Sequence, residues 1–161
     1  MTGTRNVNNL LGVYHAVTLL FLLLIAIYDA RHHKIRNAAL LALFLWCLVS
    51  IPVTIHVLPA VPLYYMVLRC SFGFATGFFL LLFVSITTNG SIGGGDIKFA
   101  GILGFLYGAV SLLAILVTAC CIALIHALLH GIFKRKRMES IPFAPYLFLG
   151  CSISTLPQLF P

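Results

Sequence analysis

The stretch SIGGGDIKFA, residues 91–100, separates two long apolar runs with three consecutive glycines, an aspartate and a lysine. Acidic residues are rare in this chain, whose full set is Asp29, Asp96 and Glu139. A carboxylate directly after a glycine triplet is therefore unusual in this chain. The apolar runs on either side of it predict the fold.

The composition indicates a protein whose solvent is a lipid bilayer. Hydrophobic residues make up 61% of the 161 positions and charged residues 8%, whereas soluble domains carry about 25% charged residues. The mean hydropathy is +1.11. There are too few polar residues to cover a soluble domain of this size, so we expect a multi-pass protein of the cell membrane.

The net charge of +7 admits a second interpretation, nucleic-acid binding, which the charge distribution disfavours. The cations form short clusters between apolar runs, DARHHKIRN at 29–37 and KRKR at 134–137. Such clusters are typical of cytoplasmic loops under the positive-inside rule. We therefore expect the bilayer as a partner, and no nucleic acid.

The apolar runs predict an all-α polytopic bundle of about six transmembrane helices, forming a single domain over 1–161. A hydrocarbon core of roughly 30 Å needs about 20 helical residues per crossing. A shorter segment with two prolines, LPAVPLYYMVLR at 58–69, is interpreted as an interfacial loop, and Pro52 is expected to kink the second span. The predicted spans are 10–28, 38–58, 70–86, two within 98–133, and 141–160.

The stretch from Lys98 to Phe133 is predicted to form two helices that separate at Tyr107-Gly108. As one helix it would be about 54 Å long, far more than a bilayer needs. One helix would also place KRKR on the side opposite the first basic cluster, against the charge rule. With two helices both clusters lie in the cytoplasm and both termini lie outside.

In this topology Asp29 ends the first span and Asp96 precedes the fourth, at similar depth on the cytoplasmic side. One such carboxylate would be read as a helix-end charge or an N-cap. Two at matching depth, one of them behind Gly93–Gly95, favour a functional site. Paired carboxylates share a proton, so one can activate water while the other polarises a carbonyl. Glycines without Cβ let an extended peptide approach. This is aspartyl protease chemistry, and we expect no metal and no cofactor.

Three segments resemble the type IV prepilin peptidases, the GxGD membrane aspartyl proteases. DARHHKIRN is similar to the family's first aspartate motif, GGGDIK (93–98) to its GxGDxK signature, and IPFAPYLFLG (141–150) to its C-terminal Pro-Phe-x-Pro segment. The resemblance implies that Asp29 and Asp96 are the catalytic pair. It also implies that the enzyme removes a short basic leader from prepilin-like proteins, at the cytoplasmic face and just after a glycine.

The chain departs from the family pattern at two points. Arg36 stands where the family has a proline, so we expect this loop to be less rigid than in the family. Asn37 is kept as a supporting residue, as are Lys98 and Gly93–Gly95. Longer members carry a domain with paired CxxC motifs and also methylate the new N-terminus. CxxC is absent from this sequence, and we expect a short, peptidase-only form.

Other function classes make different use of the same residues. A small transporter or proton channel could use Asp29 and Asp96 as an ion relay, but it would not need the glycine triplet. His126 and His130 have zinc-ligand spacing without the glutamate of HExxH, which favours structural histidines. The five cysteines are expected to be packing residues, and two GxxxG pairs, Gly73 with Gly77 and Gly104 with Gly108, are expected at helix contacts.

Overall fold

The computed structural model describes residues 2–32, 35–49, 51–52, 61–90, 92–134 and 143–159, with the backbone alone at 2–11, 130–134 and 156–159. Several positions singled out above lie outside the described residues. They are Lys34, the end of the second run at 53–58, the first residues of the 58–69 segment, most of KRKR, the side chain of His130, Glu139, and Ile141 with Pro142.

The described residues form six helices, and Ile51 and Pro52 are helical as well. In chain order the helices are α1 (Thr2–His32), α2 (Asn37–Leu48), α3 (Leu63–Thr87), α4 (Gly94–Tyr107), α5 (Ala109–Lys134) and α6 (Ala144–Leu159). There is no strand within these residues. The predicted all-helical membrane fold is thus confirmed.

Three of the helices are long and apolar enough to cross a membrane. These parts are Gly12–His32 of α1, Leu63–Thr87, which is all of α3, and Ala109–Leu129 of α5. The other three helices have 12, 14 and 16 residues, fewer than the roughly 20 that a crossing needs. Six crossings, and termini on the outer side, therefore remain predictions.

The second apolar run ends its helix earlier than expected. We predicted a span over 38–58 with a kink at Pro52, but α2 stops at Leu48 and Val49 lies in a turn. Leu48 is four residues before Pro52, whose ring would clash with the Leu48 carbonyl and which has no N–H to offer it. The helix is thus interrupted before Pro52, and because Ile51 and Pro52 are themselves helical, the kink in the 38–58 span stays a prediction.

The interpretation of 58–69 as a loop was wrong from Leu63 onward. Helix α3 begins at Leu63, with Pro62 in extended conformation as the N-cap. Tyr64, Tyr65 and Arg69 consequently lie on the first two turns of a helix. A proline just before a helix is compatible with its start because the missing N–H would have had no partner there.

The predicted separation of α4 from α5 is confirmed at Gly108. This residue has φ 80° and ψ 166°, a backbone conformation that residues other than glycine rarely adopt. Leu112, one turn into α5, lies against Gly104 of α4. Two residues eight positions apart in a straight helix would be about 12 Å apart, so the chain bends sharply here.

Helices α3 and α4 form a tightly packed antiparallel pair. Gly73 lies against Gly104, and Gly77 lies against the Ala100 carbonyl, where an added Cβ would collide with backbone atoms. The predicted role of the GxxxG glycines in close helix packing is confirmed for these positions. Because α4 is held to α3 along its length, Asp96 in its first turn has a fixed position.

The main core joins α1, α2, α4, α5 and α6. Its fully buried side chains include Leu22, Leu43, Phe99, Ile115 and Leu147. None of the five cysteines, all within the described residues, forms a disulfide; three are buried and two are exposed. Many other apolar side chains are exposed on the outer faces of α1, α3 and α5, as expected for helices that face lipid.

Candidate active site

Asp29 is a buried carboxylate near the end of the first helix. Its side chain is only 5% exposed, and it lies one turn before the helix ends at His32. The preceding residue, Tyr28, packs its ring against His32, with centroids 4.4 Å apart. A buried carboxylate needs polar partners to be tolerated.

One partner of Asp29 comes from the start of the last helix. The backbone N–H of Ala144 donates a hydrogen bond to Oδ2 of Asp29, with 3.3 Å between nitrogen and oxygen. Ala144 is the first residue of α6, where amides have no carbonyl partner within the helix. Pro145 follows and has no N–H, so the Asp29 carboxylate receives one of the few donors of this helix start.

Asp96 lies in the first turn of α4, two residues before the predicted start of the fourth span at Lys98. Gly93 precedes the helix as its N-cap. The Asp96 carboxyl is partly buried, and its Oδ1 has no hydrogen-bond partner among the described residues. Desolvation and, second, the negative charge of Asp29 raise the pKa of Asp96 to about 6, from about 3.9 in a free side chain.

Three segments bring the two aspartates into one site. The Asp29 charge acts on Asp96, although the residues are far apart in sequence. Phe143, next to Ala144, packs against the main core and also against the cluster that contains Ile97. The carboxylates are therefore placed by the end of α1, the start of α4 and the start of α6.

The glycine triplet is not used for unusual dihedral angles. Gly93 has φ −65° and ψ 142°, and no glycine of the triplet has a positive φ. The triplet instead leaves open space beside Gly94 and allows close contacts at Gly93 and Gly95. A Cβ on Gly94 would meet nothing within 4 Å, one on Gly93 would meet Oδ2 of Asp96 at 3.3 Å, and one on Gly95 would press on Ile35 at 3.1 Å.

The two polar residues predicted to support the site contact each other. Lys98 Nζ donates a hydrogen bond to Oδ1 of Asn37, over 3.2 Å, in an exposed position. This bond joins the start of α2 to the start of α4, since Asn37 begins α2. Lys98 is not among the causes of the raised pKa of Asp96, so the structure places it beside the site as a tie between helices.

Arg36 occupies the position at which the family pattern has a proline, and its side chain contacts Tyr28. Its guanidinium carbon lies 5.8 Å from the centroid of the Tyr28 ring, next to Asp29, within the range of a cation–π contact. Its backbone has φ −72° and ψ 128°, angles that proline also adopts. The chain thus keeps a proline-like backbone here with a cationic side chain.

The described side chains form no group of three or more His, Cys, Asp or Glu that could hold a metal ion. His126, considered above as a zinc ligand, forms a 2.8 Å hydrogen bond through Nδ1 with the hydroxyl of Tyr146. This bond links α5 to the first turn of α6, close to Ala144. The chemistry that the site offers is that of two carboxyls.

The Ala144 amide was not predicted as part of the site. Its signal was present in IPFAPYLFLG, where a proline occupies the second helical position and leaves a free amide before it. A backbone donor has no residue type of its own, so only its geometry identifies it. The Arg36–Tyr28 contact was not predicted, because Arg36 was considered only as the replacement of a proline and not for its own side chain.

Comparison with known proteins identifies the family of this chain. The family model described as type IV leader peptidase family matches residues 16–128, which include both aspartates. The chain therefore belongs to the type IV leader peptidase family. It is also 32% identical over 87 residues to a Bacillus subtilis (strain 168) protein, the prepilin leader peptidase/N-methyltransferase.

Each match covers only part of the chain. The alignment with the Bacillus protein covers 52% of this chain and 34% of the relative, so the chain spans about a third of the length of that relative. The family match ends before Ala144, so the contribution of the last helix rests on its hydrogen bond to Asp29. No solved structure is significantly similar to the chain.

Proposed function

We propose that this chain is a membrane aspartyl endopeptidase that removes the short basic leader from type IV prepilin-like precursors. Cleavage follows a glycine at the cytoplasmic face of the cell membrane. The proposal is supported by membership of the type IV leader peptidase family and by two carboxyls, Asp29 and Asp96, placed so that burial and, second, the charge of Asp29 raise the pKa of Asp96. The similarity to the Bacillus prepilin leader peptidase/N-methyltransferase supports the same substrate class.

Asp29 is the member of the pair that carries the negative charge. The Ala144 N–H points at its Oδ2, and the start of a helix is the positive end of its dipole. Hydrogen bonding to the charged form of a carboxyl favours that form. Asp29 is thus the base that accepts a proton from the attacking water.

Asp96 is the member that holds the shared proton. Its Oδ1 is buried and has no hydrogen-bond partner among the described residues, so ionisation would cost desolvation energy that no donor offsets. A neutral carboxyl can donate a hydrogen bond to the scissile carbonyl oxygen, as required for its polarisation.

The proposed reaction balances with these two groups and one water. The water oxygen bonds to the carbonyl carbon while its proton passes to Asp29 and the proton of Asp96 passes to the carbonyl oxygen. When the resulting gem-diol collapses, the C–N bond breaks and Asp29 gives its proton to the departing amine. A hydroxyl proton returns to Asp96, and both carboxyls regain their starting states.

The peptide reaches the carboxyls along the exposed start of α4. Gly93 and Gly94 are exposed, and the space beside Gly94 is open. An extended backbone can therefore come closer to Asp96 here than it could past any side chain. A side chain on Gly93 would stand against the Asp96 carboxyl itself.

The exposed charged side chains described around the site would not attract a basic leader. Arg31, Arg36 and Lys98 are exposed there, and each would repel lysines in the leader. The anionic headgroups of the cytoplasmic leaflet attract basic segments instead. In this proposal the bilayer surface holds the leader, and the enzyme recognises the backbone around the cleaved bond.

The proposal is tested by co-expression of the chain with a prepilin-like substrate and N-terminal sequencing of the product. We expect a product that begins directly after the glycine at the end of the leader. A substrate that stays uncleaved in membranes with confirmed enzyme would contradict the proposal. Proton flux into liposomes carrying the enzyme alone would support the ion-relay alternative.

A further inference from the structure

A second polar feature lies at the end of α4 opposite to Asp96. A groove of about 490 Å³ opens there between α3 and the junction of α4 with α5. Its lining includes Tyr65, Arg69, Phe72, Gly108, Val110 and Ser111. The groove begins about 16 Å along α4 from Asp96, at about 1.5 Å per residue, and takes no part in the proposed peptidase chemistry.

Arg69 sets the charge of this groove. Its Nη2 donates a 2.8 Å hydrogen bond to the carbonyl of Tyr107, the last residue of α4. The guanidinium also covers Gly108, where an added Cβ would stand 3.0 Å from Nε. These contacts fix the position of a group with five N–H donors, and the side chain remains exposed.

The positive charge of Arg69 has no carboxylate partner within the part of the chain that the structure describes. The chain has three acidic residues. Asp29 and Asp96 belong to the site at the other end of the bundle, and Glu139 lies outside the described residues. An anion stabilises a guanidinium on an apolar helix, and lipid headgroups are the anions that a membrane supplies to an exposed side chain.

The rim of the groove has the character of a membrane interface. Tyr64 and Tyr65, at the start of α3, are 69% and 56% exposed, and exposed tyrosines are enriched at the headgroup level. Phe72 and Val110, 70% and 84% exposed, continue the groove with apolar surface. A polar end with a fixed cation and an apolar extension match an amphiphile that has an anionic head.

We propose that this groove binds an anionic glycerophospholipid, with its phosphate on Arg69 and an acyl chain against Phe72 and Val110. Arginine suits this role because its planar donors match phosphate oxygens. Ser111, exposed in the first turn of α5, offers a further hydroxyl. The site is independent of the proposed cleavage and stabilises the α4–α5 junction.

The test uses the full-length protein, delipidated in a neutral detergent. Short-chain phosphatidylglycerol, phosphatidylcholine or inorganic phosphate is titrated while native mass spectrometry and the thermal unfolding midpoint report binding. We expect phosphatidylglycerol to bind about tenfold more tightly than phosphatidylcholine, as for one charge-assisted contact. Inorganic phosphate should not raise the midpoint, since it lacks the acyl chain.

Two variants and one control locate the site. Arg69→Gln removes the cation, and Ser111→Glu places a carboxylate beside it in a helix turn that favours negative charge. Each should abolish the preference for phosphatidylglycerol. Arg31→Gln loses the same charge at the other end of the bundle and should keep the preference. Equal binding of both lipids by the unaltered protein, an undiminished preference in Ser111→Glu, or stabilisation by phosphate alone would overturn the proposal.

Discussion

The amide of Ala144 donates a hydrogen bond to Oδ2 of Asp29 over 3.3 Å, which joins the last helix to the first at the predicted catalytic carboxylate. Pro145 leaves the helix start with one donor fewer, and the preceding amide serves the carboxylate. The last helix thus contributes a backbone group to the site.

Removal of this amide proton should impair catalysis without unfolding the chain. Ala144→Pro eliminates the N–H at the first helical position, where proline is well tolerated. A hydrogen bond to a charged group contributes about 1.5–3 kcal/mol, so kcat/KM should fall by at least about tenfold. The acidic limb of the pH profile should move to higher pH because ionised Asp29 loses a donor.

Ala144→Val is the matched control, since it adds similar bulk at this buried position and keeps the N–H. It should retain the shape of the pH profile. If Ala144→Pro and Ala144→Val reduce kcat/KM equally and leave both limbs in place, the hydrogen bond has no part in catalysis. The measurement is the pH dependence of leader cleavage in detergent or membranes.

The alkaline limb of the profile should report the proton on Asp96. The pKa of Asp96 is raised to about 6 by burial and by Asp29, and the proposed acid works only when protonated. As pH rises through about 6, kcat/KM should therefore fall, with an apparent value that belongs to the pair. The limb in kcat should lie higher, because bound peptide excludes water from the carboxyl.

This profile is measured with a prepilin-like substrate between about pH 4 and 9, against a substrate-independent measure of folding such as the unfolding midpoint. A kcat/KM that stays constant from pH 5 to 9 would contradict a proton held on Asp96. The free energy of unfolding is expected to change with pH in the same direction as kcat/KM on this limb, decreasing as pH rises. A raised pKa in the folded state stabilises the fold fully below about pH 4, and this contribution is lost as pH rises through about 6.

The packing of α3 against α4 should tolerate no side chain at Gly73. An added Cβ would collide with the Gly104 carbonyl and approach the Gly104 carbonyl carbon to 2.8 Å. Overpacking of this kind costs about 1–3 kcal/mol, so Gly73→Ala should lower the unfolding midpoint in detergent. Gly12→Ala is the control: its Cβ would meet nothing within 4 Å, and loss of a helical glycine should stabilise by about 0.5–1 kcal/mol.

Equal midpoints for Gly73→Ala and Gly12→Ala would show that the two helices separate enough to admit a methyl group. In that case α4 would not be held rigidly, and the fixed position of Asp96 would need another cause.

The six-crossing topology makes a separate prediction. Reporter fusions at residue 1 and after Pro161 should be active outside the membrane, and labels placed near Arg31 and Lys136 should react from the cytoplasm. The fusion after Pro161, together with the label near Lys136, also decides whether the short helix α6 crosses. A cytoplasmic C-terminus would exclude six crossings and would separate KRKR from the first basic cluster.

Sequence reasoning reached the helical class, the Gly108 break and the glycine packing because each leaves a local mark. Apolar runs, a glycine after a tyrosine and GxxxG spacing can be read without tertiary contacts. The helix start directly after Pro62 was not predicted, since a proline can end, kink or precede a helix. Which of these occurs depends on the carbonyl four residues earlier and on the neighbouring packing.

For the site, sequence reasoning proposed the residue types but not their roles. Nothing in GGGDIK or DARHHKIRN distinguishes the charged carboxyl from the protonated one. That assignment depends on the Ala144 amide and on the burial of Asp96 Oδ1. Both are tertiary properties of chain segments that are far apart in sequence.

The most direct test of the paired-carboxylate account is leader removal by Asp29→Asn, Asp96→Asn and the double variant, in membranes with matched expression. Each single change should abolish cleavage, because one lost carboxyl leaves either no base or no acid. The double variant should be no worse than either, as for residues that act as a unit. Glu139→Gln, the control at the third acidic residue, should keep most activity. Substantial cleavage by Asp29→Asn or Asp96→Asn would contradict the mechanism.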